Sequence, residues 1–158
     1  MHSQNLILSC ALALGLFVPA AFSAAPKKLP FDLSKSKYQP GQVWIYKTRP
    51  EEKDSRLTIL AIENYEKFGT IVHISLDNLK IKNPKAPSGF STSMEHMPVS
   101  EKSLDESVVE KEADRPAPAP SAGYKQWKQR FDKGEVGVFT KPVDDLVQFV
   151  EGTLATAK

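Results

Sequence analysis

The sequence predicts an α+β domain, a curled antiparallel β-sheet or half-open small barrel packed with two to three helices. Three observations carry this. Residues 41–83 read as successive strands, Gln42–Thr48, Arg56–Glu63, Thr70–Leu76 and a short Leu79–Lys82. Each is rich in β-branched, aromatic or aliphatic residues and bounded by Gly, Pro, Asn or charge. The first two strands are apolar on both faces, Val43 and Ile45 alternating with Trp44 and Tyr46, and Leu57 and Ile59 with Leu60 and Ile62. A sheet covered on one side only would alternate apolar with polar, so both faces need a cover. Beyond residue 100 the apolar spacing becomes helical: Tyr124, Trp127 and Phe131, then Val143, Leu146, Val147, Val150 and Leu154.

The chain of 158 residues opens with an apolar run, Leu6–Val18, closed by Pro19 and the small residues of Ala21-Phe22-Ser23. This is signal-peptide architecture with cleavage expected before Ala24; retention as an anchor is the alternative. The expected organisation is a signal peptide at 1–23, a flexible leader at 24–39 and one domain at 40–158 with a Pro/Ala linker at 115–123. The expected location is periplasmic or secreted, with no stable membrane insertion after cleavage. The only cysteine, Cys10, lies in the signal segment, so the remainder carries no thiol. Disulfides, thiolate catalysis and Cys-ligated zinc are thereby excluded from the mature chain. With 21 basic and 19 acidic residues the net charge is +2, which argues against a nucleic-acid or anionic-membrane binder. No cofactor motif is present, and none is expected to bind.

Taken in order, Pro26, Pro30 and Lys35-Ser36-Lys37 mark the leader as extended, with Phe31 and Leu33 able to dock. Pro40-Gly41 is turn chemistry ahead of the first strand. The connection Arg49–Ser55 is densely charged and reads as an exposed hairpin tip. Asn64–Gly69 closes the next hairpin. In the third strand Val72, Ile74 and Leu76 share one face and His73 and Ser75 the other, which predicts a half-exposed strand. Residues 83–97, with Pro84, Pro87, Gly89 and many Ser/Thr residues, read as a long surface loop. Ser100 caps a helix expected over 101–112 whose thin stripe, Leu104 and Val108, places it on the surface. Ser121 caps the aromatic helix, which Gly134 ends. Residues 135–139 suggest a short strand, and Thr140 with Pro142 starts the last helix.

Three constellations offer function. Arg49, Glu51, Glu52 and Arg56 at one tip, with His96 in the neighbouring loop, suit electrostatic recognition of another protein, arginine being able to grip a carboxylate with two donors. His73 with Arg49 or Glu51 offers the parts of a small exported hydrolase. Met94, His96 and Met97 supply the thioether and imidazole donors that suit copper. The absence of a nucleophile at diagnostic spacing favours the first: an exported non-enzymatic binding protein, in its most concrete form a periplasmic inhibitor or immunity-type protein.

The run Gly41-Gln42-Val43-Trp44, the charged loop, Ser55-Arg56-Leu57-Thr58-Ile59-Leu60 and Ile74-Ser75 resembles the opening strands of the SH3-like barrel of the MazF/PemK ribonuclease toxins. That resemblance implies a small β-barrel. It aligns Arg56 with the family's catalytic arginine and Ser75 loosely with its hydroxyl, but Leu57 stands where the family has proline. The stretches at 48–52, 73–87 and 95–101 also resemble short bacterial exported proteins of unassigned function, which implies no mechanism.

Overall fold

The computed structural model describes residues 24–156; the expected signal segment lies outside them. The chain forms a six-stranded antiparallel sheet and three α-helices among these residues, the α+β architecture expected. Its strands are β1 (Lys28–Leu29), β2 (Gln42–Tyr46), β3 (Leu57–Tyr65), β4 (Gly69–Leu76), β7 (Met94–Ser100) and β8 (Val108–Asp114), in the order β7-β4-β3-β2-β8 with β1 also paired to β3. A separate hairpin joins β5 (Ile81–Lys82) to β6 (Phe90–Ser91). The helices are α1 (Glu101–Ser107), α2 (Ala122–Asp132) and α3 (Val143–Thr156). The sheet does not close into a barrel, because β7 and β8 stand at opposite ends of the order. No helix among the described residues is long and apolar enough to cross a membrane.

Both faces are covered, as the two-sided apolar strands require. On one face Leu57, Ile59, Val72, Ile74, Met97 and Val99 pack with Leu104 of α1 and with Val143, Leu146, Val147 and Val150 of α3. On the other, Tyr65 and Ile71 pack against Trp127 and Phe131 of α2. The tyrosine ring of Tyr65 meets Phe131 edge-on at 5.0 Å, a favoured aromatic geometry. Strand β4 is central and not half-exposed: His73 is fully buried beneath α2.

Four elements differ from the sequence reading. Residues 24–39 are tied to the domain. Lys28 and Leu29 pair with Tyr65 and Asn64 of β3, and Tyr38 is buried, its hydroxyl donating to Asp105 at 2.6 Å. The expected loop at 83–97 holds β6 and half of an edge strand. Its Met94 and Met97 are buried opposite Leu76 and Ile74. The expected helix at 101–112 stops at Ser107, and β8 follows. Two consecutive valines, Val108 and Val109, favour extended backbone, and the free edge of β2 supplies the ladder partners. Leu104, Ser103 and Ser107 are buried, so α1 is not a surface helix. The expected strand at 135–139 reduces to one parallel bridge, Val99 to Phe139.

The start of α3 is built by α1. Val143 N–H donates to Ser107 Oγ at 2.9 Å, where Thr140 was the expected cap, and Ser107 Oγ–H donates to the Ser103 carbonyl at 2.6 Å. Ser103 Oγ–H donates to the Lys141 carbonyl. Ser107 thus satisfies an N–H that a helix start leaves open, while Ser103 ties the residue two before α3 to α1. The turn before β2 requires Gly41. Its φ is +92°, and a Cβ there would meet the Arg115 carbonyl oxygen at 2.0 Å, which no side chain tolerates.

Candidate functional site

The charged tip is ordered by an internal ion pair. A 3₁₀ turn at Pro50–Glu52 returns Glu52 into the protein, where it is 2% exposed. Arg49 grips it with two donors, Nη2 to Oε1 at 2.6 Å and Nε to Oε2 at 2.8 Å. Glu52 also accepts from Lys80 N–H at 2.7 Å. Burial raises the Glu52 carboxyl, but the Arg49 hydrogen bond and the Lys80 N–H outweigh it and leave it below its ordinary value. Arg49 reaches on to Glu151 of α3 at 3.2 Å. The tip expected to be exposed is thus divided. Arg49 and Glu52 are structural, Glu51 is exposed, and Arg56 faces the other way, its Nε donating to Glu112 of β8 at 2.9 Å.

Arg49, held from behind by Glu52, forms one wall of an open groove of about 490 Å³ between the tip, the β5–β6 hairpin and α3. Lys80, Lys82, Phe90, Glu51 and Glu151 are among its other lining residues. Glu151 is occupied by Arg49 and by Lys82 N–H, the latter at 2.7 Å. Among the described residues neither lysine ammonium meets a carboxylate. Phe90 is 37% exposed, with Lys80 Nζ 5.9 Å from its ring centre.

A second polar assembly lies under α2. His73 Nε2 is 3.3 Å from Glu63 Oε2, and His73 Nδ1 is 2.9 Å from His96 Nε2. The bonding pattern assigns the protons. A carboxylate only accepts, so His73 carries its proton on Nε2, and His96 Nε2–H donates to His73 Nδ1. Glu63 also accepts from Lys28 at 2.6 Å, and from the hydroxyls of Tyr65 and Tyr124, each at 3.3 Å. Its cation is Lys28, while His73 is a neutral donor. Burial raises the Glu63 carboxyl, but hydrogen bonds from His73 and Lys28 outweigh it and hold the group at about 2. Burial lowers His73, and Glu63 only partly opposes that. Burial, then the neighbouring His73, pushes His96 down to about 3. A base that weak takes up almost no proton at neutral pH, whereas a general base works best near its operating pH.

Two bulges bring these residues together. In β3, Ile59 opposes Ile74 and Ala61 opposes His73, so Leu60 is the extra residue and Glu63 turns to the His73 face. In β7, Met97 opposes Ile74 and Met94 opposes Leu76, which leaves Glu95 and His96 against one residue of β4. His96 therefore faces α2 while Met94 and Met97 face α3, and the three side chains expected to hold copper point to opposite sides of the sheet. Arg49 and Glu51 likewise line the α3-side groove, remote from His73 under α2. Among the described residues no three of His, Cys, Asp or Glu gather as a ligand set. The sequence reading missed Glu63, Lys80, Lys82 and Phe90. An acid inside the apolar run Leu57–Tyr65 is the signal that marks Glu63. The chain matches no family model, no curated protein and no solved structure.

Proposed function

We propose that this chain is an exported, non-enzymatic binding protein that holds an acidic segment of a partner protein in the groove beside Arg49. The observation that carries the reading is the pair of ammonium groups, Lys80 and Lys82, that meet no carboxylate among the described residues and flank the half-exposed Phe90. Glu52 and Glu151 are spent on Arg49 and on backbone N–H groups, so Glu51 is the one lining carboxylate without such a partner among the described residues. Two cations beside an aromatic ring suit a carboxylate-bearing segment with an apolar anchor. The wall is pre-organised by the buried Arg49–Glu52 pair, which lowers the ordering cost of binding. Arg49 and Glu51 line the α3-side groove while His73 lies under α2, which supports binding over hydrolysis by those residues. Blocking a partner in the manner of an inhibitor or immunity protein is the form of binding this groove suits.

Panning a displayed library of random peptides on the purified protein tests the chemistry. Enrichment of Asp and Glu around an aromatic or aliphatic residue is the expected result, and its loss on Lys80→Glu/Lys82→Glu is the control. Enrichment of basic peptides, or none, contradicts the reading. The export half is read from intact mass in the envelope fraction: a chain beginning at Ala24 is expected, and retained Met1 contradicts cleavage.

A further inference from the structure

We propose that α2 is an acid-releasable cover, freed from the sheet when the His73–His96 pair takes up protons. The geometry of the pair is the reason. The two imidazoles stack with centres 5.2 Å apart and share one N–H···N bond of 2.9 Å. That bond needs a lone pair on His73 Nδ1; a proton placed there would set N–H against N–H. The other open position is His96 Nδ1, which has no protein partner among the described residues. No side-chain nitrogen or oxygen is both buried and unpartnered there, so this nitrogen opens onto solvent at the 5% of His96 that is exposed. A proton entering at that point creates an imidazolium under α2.

The surroundings offset the new charge only in part. From β3, Glu63 already faces Lys28 of β1 at 2.6 Å, and Tyr65 donates to the same carboxylate. From α2, Tyr124 also spends its hydroxyl on Glu63, and Lys128 adds positive potential at His73. On β7, Glu95 is exposed beside His96. The rings over the pair are Trp127 at 4.8 Å from His73 and Tyr124 at 5.8 Å from His96, both on α2. Gly123 sits so close that a Cβ would meet His96 Cβ at 3.0 Å. The helix thus rests directly on the histidines.

Its tethers allow it to leave. Residues 115–120 are exposed and outside any helix or strand. At the other end Gly134 turns the chain with φ +71°, and residues 135–138 run outside regular structure to the bridge at Phe139. Opening α2 leaves the core beneath α3 intact and presents Tyr65, Ile71 and the Tyr124, Trp127, Phe131 stripe to solvent.

The sign follows from which state binds protons. Both imidazoles are lowered below 6.5 when covered and regain ordinary values when uncovered. The closed state is therefore fully favoured above pH 6.5 and loses ground as pH falls towards the covered values. From pH 7 to pH 5 the open fraction rises about 25-fold through His96 alone, held at about 3 when covered, and His73, also lowered, adds to the rise in the same direction.

Hydrogen exchange of the whole chain, read by mass spectrometry as protection factors at pH 7 and pH 5, tests this. Peptides from α2 are expected to lose at least about 25-fold in protection while those from α3 and β4 lose far less. His96→Gln is expected to remove at least half of the logarithmic change. Parallel loss in α2 and α3, pH-independent protection of α2, or an unaltered dependence in a folded His96→Gln protein would overturn the proposal. The wild-type comparison decides alone if that variant does not fold.

Discussion

Replacing Arg49 with Ala is expected to destabilise the domain by about 3–5 kcal/mol, the range for removing one partner of a buried ion pair. Glu52 is 2% exposed and would keep only the Lys80 N–H among its present donors. For a domain of this size the melting temperature should fall by on the order of 10 °C or more. The double change Arg49→Ala/Glu52→Gln should recover part of the loss, because a neutral amide is cheaper to bury than a lone carboxylate. Glu51→Ala, one residue away and exposed, should stay within about 0.5 kcal/mol. Denaturant melts of the four proteins check this. Equal stability of wild type and Arg49→Ala would return the tip to the solvated turn that its charge suggests.

Trp127→Ala is expected to cost a similar ~3–5 kcal/mol. Trp127 stacks on Phe131 at 4.4 Å, meets His73 at 4.8 Å, and donates Nε1–H to the Gly137 carbonyl at 3.0 Å. Its loss would empty the centre of the α2 interface and unpin residues 135–138. Trp127→Phe keeps an aromatic ring and gives up the hydrogen bond, so about 1 kcal/mol beyond the lost ring area is expected. Lys125→Ala, on the exposed face, should stay within about 0.5 kcal/mol. A Lys125 variant as unstable as Trp127→Ala would contradict the helix face seen here.

The strands β2, β3 and β4 and the faces of α2 and α3 were legible because burial imposes periodicity. Tyr124, Trp127 and Phe131 mark α2 in the sequence and face the sheet in the structure. The Ser121 and Ser100 caps were legible too, since each hydroxyl accepts from the N–H three residues on. The bulges were not. An extra residue at Leu60 reverses the face of every later side chain in β3, so alternation placed Glu63 with Ile59 and away from His73. The β8 strand was hidden by its charge. Val-Val-Glu-Lys-Glu-Ala-Asp has neither clean period and is exposed along most of its length, so only the open edge of β2 selects its conformation. The groove was half visible: Arg49 and Glu51 were placed at the tip, but Lys80, Lys82 and Phe90 join them only through the β5–β6 hairpin.

Calorimetric titration of a selected acidic peptide into wild-type and Lys80→Glu/Lys82→Glu proteins tests the groove most directly. Both lysines line an open surface, so the double change should leave the melting temperature within a few degrees. It should weaken binding at least tenfold, about 1.4 kcal/mol, and wild-type affinity should itself fall as salt screens the contact. Equal affinity of the two proteins for the peptide would place recognition elsewhere on the molecule and contradict the account.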